Sequence, residues 1–404
     1  MTWLVWFGAF VLLVRATLGG PDGTRYLSYL RSLVFDHDLL LMNELERFGQ
    51  RIIITSTGYT AQIANVGVLP FWLPFYLMGM LAARLNGDVG SGLASNYQLW
   101  LDFGDWLYGL LAMFVMYRWA RTRFTRAVAF VATLLVGLGS SFIYYVTALA
   151  PSYHTVAALL CALFFTLWDQ TRARRSALQW FGLGLLVGLL MSMAQYHVVL
   201  LVFLISDFRL LLATINHQPS TIKNLLFIFI LLPSAFILPL LPQLIVWGII
   251  FGNPLANPYA LEANWSGARL LDVLFSSYHG LFFTAPILLL AALGWLLGLR
   301  RDKALYGGAL IALLGIAYSS STRIGWWAGV SFGARYFIGL TPLFVMGFAA
   351  LLEVRDWRLE VGSWKLTNSR TSNFQLSTFN LQLLTYVGIS CCLWTYGYFL
   401  QAFT

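Results

Sequence analysis

The chain has 404 residues, of which 59% are hydrophobic, 16% aromatic and only 10% charged, where soluble domains carry about 25% charged residues. Its mean hydropathy of +0.74 excludes an ordinary soluble enzyme and describes a polytopic membrane protein, all-α because an open sheet cannot span lipid. The formal net charge of +9 sits at the ends of apolar runs rather than in one patch, which excludes nucleic-acid binding.

The first apolar run, 2 to 19, carries Trp3, Trp6 and Arg15 and lacks a small-residue cleavage pattern, so it reads as a retained span. A polar island follows over 21–51, with Asp22, Asp36, Asp38, Glu44 and Glu46. Carboxylates so dense must lie in water or line a cavity, because a charge at bilayer depth costs a few kcal/mol or more. The run 66 to 85 is apolar but contains Pro70 and Pro74 and ends at Arg84. Proline weakens a regular span, so this run is expected to lie in the interface plane or to re-enter. Ten further runs follow at 98–118, 127–149, 152–169, 178–195, 196–212, 224–251, 282–299, 305–321, 336–352 and 382–402. Each is near the length of about 20 residues that crosses hydrocarbon. With the first they make about eleven spans. Cys161, Cys391 and Cys392 fall inside these runs and read as core thiols.

Basic clusters fix the sides. Arg118 to Arg126, Arg172 to Arg175, Arg209 with Lys223, Arg300 to Lys303, and Arg355 to Arg370 are each separated from the next by two spans, so all five share the cytoplasmic side. The first loop, 20–97, then joins the turns near 150–155 and 195–197 and the segments 252–280 and 319–336 on the extracytoplasmic face, with in-plane juxtamembrane helices. The whole chain, 1–404, reads as one integral membrane domain of the plasma (inner) membrane. Residues 356–381 form a polar, loosely self-echoing insertion on the basic side, to which no chemistry is assigned.

The ordered set of segments resembles the GT-C glycosyltransferases, in particular the glycosyltransferase family 39-like bacterial members related to protein O-mannosyltransferases and aminoarabinose transferases. The resemblance is carried by Asp22 opening a loop after the first span, Tyr26 and Tyr29, the FDHDL step, SSFIYYVTALAPSYHTVA, WGIIFGNPLANPYALE, SSYHGLFFTAP and GWWAGVSFGARYFIGLTPL. It covers nearly everything except the insertion. Two departures stand out: Asp22-Gly23 where relatives often have Asp-Glu, and Met193-Ala194-Gln195 where they often place Arg-Pro.

The resemblance implies transfer of a sugar from a polyprenyl-phosphate carrier to an extracytoplasmic glycan, lipid or protein acceptor. Such a reaction needs a carboxylate to take the acceptor's proton and cations to stabilise the departing phosphate, and direct displacement inverts the anomeric centre. Asp22 is the expected base; Asp-Gly-Thr before an amphipathic pattern is also capping grammar. Arg335-Tyr336 is the candidate phosphate clamp, since a guanidinium suits a phosphate at the interface; Arg323 is the alternative. Trp327 can stack on a sugar, and His154 and His279 can polarise phosphate or acceptor, although an interfacial Trp and a lone His are ordinarily structural. Asp36-His37-Asp38 spells an Asp-x-Asp that would hold Mg²⁺ or Mn²⁺, or it is a polar loop between in-plane helices. A single-phosphate donor needs a metal less than a nucleotide donor does. Two readings from other classes fit the composition: a non-catalytic membrane subunit of a glycan assembly machine, and a lipid or solute transporter, the latter expected to show internal repeats that this sequence lacks.

Overall fold

The computed structural model describes residues 21–62, 64–88, 92–149, 151–172, 175–214, 232–256, 258, 264–329, 332–353, 360–361, 364–365 and 373–401. The first expected span and half of the 356–381 insertion lie outside them; within the insertion Glu360–Val361 and Trp364–Lys365 pair as a short antiparallel hairpin, and from Asn373 it begins the last helix. The described residues form an all-α integral membrane protein.

In chain order the helices are α1 (Pro21–Arg31), continued by a π-helical turn over Ser32–Asp36, α2 (Met42–Arg47), α3 (Leu69–Leu85), α4 (Ser95–Ala120), α5 (Arg126–Leu138), α6 (Ser141–Thr147), α7 (Tyr153–Thr171), α8 (Ala177–Met193), α9 (Leu201–Thr214), α10 (Leu241–Phe251), α11 (Leu270–Phe275), α12 (Leu281–Thr284), α13 (Pro286–Gly298), α14 (Lys303–Ser321), α15 (Thr341–Leu352) and α16 (Asn373–Gln401). Six described helices are long and apolar enough to cross a membrane, and the pair α5–α6, bent by 70°, adds a seventh. The expected eleven are not eleven unbroken spans. The runs at 178–195, 196–212 and 282–299 fold as shorter apolar helices, Ala177–Met193, Gln195–Asp207 and Pro286–Gly298, the last set off by Pro286, which lacks the N–H to continue α12.

The centre is α15, every residue of which is buried. It can be approached closely because small residues face each other: a Cβ built on Gly294 of α13 would lie 1.8 Å from the Gly347 carbonyl oxygen, so a side chain there would force the helices apart. Beside this contact Trp295 stacks on Phe344 at 4.6 Å and donates its indole N–H to the Leu343 carbonyl at 2.8 Å. α16 packs over the α5–α6 break: Thr395 Oγ1 donates to Gly139 O at 3.1 Å, and Cys392 Sγ lies 3.3 Å from Leu135 O, which also accepts the Gly139 N–H at 2.7 Å. The other thiol expected in the core, Cys161, is buried.

At one end of the bundle the basic clusters meet buried acids. Arg123, just past α4, pairs with Asp169 of α7 and, at 3.0 Å, with Asp302 before α14; Arg172 pairs with both acids as well. Arg175 pairs with Asp207 at 2.8 Å and Arg301 with Glu353 at 3.6 Å. Three of the five basic clusters, those with Arg123, with Arg172 and Arg175, and with Arg301, thus carry ion pairs to buried or half-buried acids, while Arg209 with Lys223 and Arg355 to Arg370 lie outside the described side chains. Asp302 also caps α14, accepting Leu305 N–H at 3.0 Å. Burial alone would raise the Asp302 carboxyl, but Arg172, the Leu305 N–H and Arg123 outweigh it and hold the group below its ordinary value. A depressed folded pKa contributes stability above the unfolded value of about 4 that is lost as pH falls through the folded one. Asp302→Ala should therefore cost about 2 kcal/mol at neutral pH, roughly 1 each for cap and partly exposed ion pairs. The deficit should shrink on acidification below the unfolded value, as read by melting in detergent at pH 7 and about pH 2.

Contacts also place the ambiguous run. Phe71 O accepts from Tyr108 at 2.7 Å, Trp72 donates to Asp105 at 3.3 Å, and Gly79 packs on the Tyr97 backbone. Thus α3 runs antiparallel to the first half of α4 and leads away from the ion-pair layer. Although α3 is long enough to span, it never reaches that layer, and the first loop stays at the opposite end.

Candidate functional site

At the end opposite the ion pairs, α1, the turn before α7, the stretch after α8 and the segment 322–336 converge on a cavity of about 120 Å³. Its walls bring together Arg25 and Tyr26 of α1, Asn65, Tyr153, Gln195 and Tyr196, and Arg323, Arg335 and Tyr336. Three guanidinium groups line it, which gives the wall a basic character.

The arginines are held by aromatic rings. Arg323 Nη1 donates to Tyr336 Oη at 3.3 Å with its guanidinium 5.0 Å from the ring centroid, and the Arg335 guanidinium is 5.7 Å from the same ring. Tyr336 is therefore the element between the two cations, each gaining cation–π attraction of order 1 kcal/mol. The Tyr wall continues through Tyr196, edge-on to Tyr336 at 5.5 Å, whose hydroxyl lies 3.3 Å from that of Tyr153. Tyr153 in turn faces Tyr26 at 6.4 Å. These rings offer flat apolar surface and hydroxyl donors, the two groups a sugar ring contacts.

Asp22 lies in the first turn of α1. It precedes Arg25 by three residues and Tyr26 by four, and both of those line the cavity. Its neighbour Gly23 is where a Cβ would come within 3.2 Å of the Pro151 carbonyl, so α1 is seated on the turn that starts α7.

The other expected site residues fall into two groups. Arg335, Tyr336 and Arg323 line the cavity; His154, His279 and Trp327 stand outside its lining. His154 is buried, 4.0 Å from the Tyr153 ring and 4.8 Å from Tyr145. His279 and Trp327 flank Tyr278, at 4.4 and 6.3 Å between ring centroids. Burial, and after it the charge of Arg335, pushes the His279 imidazole below its ordinary value against a hydrogen bond to the Gly333 backbone, which favours the neutral ring at pH 7.

Asp36 and Asp38 are engaged elsewhere. Asp36 accepts from Asn43 at 2.9 Å and from Arg31 at 2.5 Å, and these contacts hold its carboxyl low. Arg31 also grips Glu44, whose carboxyl burial pushes up. Asp38 accepts from Ser32 Oγ at 2.8 Å and from Leu40 N–H at 3.1 Å. The two acids pin the π-helical turn and α2 to α1, and no group of three or more His, Cys, Asp or Glu arranged for a metal occurs among the described residues. This donor set does not fit a metal centre.

Several site groups escaped the sequence reading. Arg25 stood in plain view, three residues after Asp22, yet nothing local distinguishes it from a solvated helix charge. Tyr153 and Tyr196 look like belt aromatics. Asp102 and Asp105, inside the run 98–118, carry the clearest missed signal, since an ionisable residue within an apolar run marks a functional candidate.

No family model and no curated protein matches the chain. Among solved structures it is similar to ArnT from Cupriavidus metallidurans in two crystal structures. The one bound to undecaprenyl phosphate gives a TM-score of 0.52 at 16% identity, covering 99% of this chain and 76% of that one. The apo structure gives 0.51 at 16% identity, covering 99% and 75%. With α1 to α3 packed at the end of the bundle that holds the arginine cavity, this chain shares the overall fold of ArnT.

Proposed function

We propose that the chain is a membrane glycosyltransferase that moves a sugar from a polyprenyl-phosphate carrier to an acceptor outside the cytoplasm. The observation that carries this reading is the cavity in which Arg25, Arg323 and Arg335 converge beside the helix turn bearing Asp22. The crystal structure of ArnT bound to undecaprenyl phosphate, a protein of the same fold, supports the carrier class. In the reaction the acceptor oxygen attacks the anomeric carbon from the face opposite the phosphate, and its proton passes to the Asp22 carboxylate. The bond from carbon to phosphate oxygen breaks, and the polyprenyl phosphate leaves with its new negative charge facing Arg335, Arg323 and Arg25. Fixed cations aimed at charge that develops in the transition state lower the barrier without reorganisation. Single displacement inverts the centre. No step needs a metal held by Asp36 and Asp38.

The purified protein should bind undecaprenyl phosphate saturably and discriminate against undecaprenol, which lacks the phosphate. Equal binding of the two would remove the reading. A transporter or a non-catalytic subunit would bind the lipid without turnover of any sugar-charged form.

The same proposal puts the first loop outside the cell. Cysteines at the exposed positions Glu46 and Ser277 should react with an impermeant thiol reagent in intact cells, and one at the exposed Arg300 only after permeabilisation. Labelling of residue 300 but not residue 46 in intact cells would reverse the orientation.

A further inference from the structure

Asp105 lies in α4, inside the apolar run 98–118 that it shares with Asp102, and is fully buried. One carboxylate oxygen accepts the Trp72 indole N–H at 3.3 Å, and the other accepts the backbone N–H of Ser152 at 2.5 Å. Both partners can only donate, so both oxygens act as acceptors. Burying such a group is costly, and a neutral residue of similar size would fill the space without that cost. What Asp105 holds explains its presence. Ser152 is the N-cap of α7, its Oγ accepting His154 N–H at 3.3 Å. Tyr153, the next residue, lines the arginine cavity, and Pro151, the one before, is the seat of Gly23 and hence of the Asp22 turn. Trp72, the other partner, packs edge-on against Tyr26 at 5.0 Å, a second cavity wall.

We infer that Asp105 is a positioning residue of the transfer site, tying the turn under α1 and the Trp72–Tyr26 wall to one rigid helix so that Asp22 and Tyr153 keep their places around the donor. The inference rests on the proposed function for its reaction but not for its geometry. Asp105 does not line the cavity; it acts through Ser152 and Trp72. Misplacing reacting groups by about 1 Å can cost on the order of 10²-fold in rate, whereas phosphate affinity resides in the arginines.

The test is Asp105→Asn in the full-length protein in nanodiscs. The amide offers one accepting oxygen and turns an NH₂ toward the second N–H, so one of the two ties is lost. Undecaprenyl-phosphate affinity should stay within about threefold of wild type while kcat for sugar transfer falls roughly 10- to 100-fold. Trp72→Phe, which removes one donor and keeps an aromatic filler, should show the same split at smaller size and serves if Asp105→Asn fails to fold. A readout independent of sugar is the oxidation rate of a Gly23→Cys, Pro151→Cys pair, which should drop several-fold when Asp105→Asn is added. An unchanged cross-linking rate, a kcat within about twofold of wild type, or affinity and kcat falling in parallel would each overturn the assignment. Absence of lipid binding and transfer in the wild type would instead defeat the proposed function, leaving the cross-linking rate to decide on Asp105.

Discussion

Asp22→Asn is expected to reduce sugar transfer by about 10² to 10⁴-fold while leaving the affinity for undecaprenyl phosphate unchanged. The amide keeps the shape of the carboxylate and an oxygen able to accept a capping hydrogen bond, so α1 should hold its place on Pro151. Only basicity is lost. The acceptor hydroxyl then attacks without a partner for its proton, and the loss appears in kcat. Transfer is best measured with a panel of labelled polyprenyl-phosphate sugars presented to the purified protein, binding with the uncharged-sugar-free carrier. Full transfer by Asp22→Asn would make Asp22 a helix cap and send the search for a base to Asp36 and Asp38, which the structure ties to Ser32, Arg31 and Asn43.

Arg335→Ala should chiefly weaken the carrier. A hydrogen bond to a charged group is worth about 1.5–3 kcal/mol, or roughly 10- to 150-fold in Kd. Arg25 and Arg323 remain in the same cavity, so binding should be reduced rather than abolished. Arg335→Lys should recover only part, because a point charge replaces a planar fork held against Tyr336. The contrast between the two positions is the informative result: Asp22→Asn lowers kcat at constant affinity, whereas Arg335→Ala raises Kd first. Retention of wild-type affinity by Arg335→Ala would assign the phosphate to Arg25 and Arg323.

Sequence by itself determined the solvent this protein lives in and its all-α class, and it placed the basic clusters apart from the first loop. These follow from sums over many residues: apolar runs long enough to cross lipid, and five basic clusters spaced two spans apart. It also singled out Arg335 and Tyr336, at the start of the span-end motif GARYFIGLTPL, with Arg323 as the alternative, and all three line the cavity. The tertiary structure decided the rest. Only antiparallel packing of α3 on α4 shows that the run 66 to 85 stops short of the ion-pair layer, because length and hydropathy are the same for a helix that crosses and for one that does not. Only long-range contacts reveal that Asp169, Asp207 and Asp302 neutralise the arginine clusters, and that the Asp-x-Asp carboxylates serve α1 and α2 rather than a common ion. The cavity is likewise a product of folding: Arg25, Tyr153, Tyr196 and Arg335 are far apart in the chain, and each alone has the residue type and flanks of an ordinary boundary side chain. Spacing along the chain encodes local periodicity and sidedness, but which distant side chains share a cavity is set by helix packing, here by small residues such as Gly23, Gly294 and Gly347 that let backbones meet.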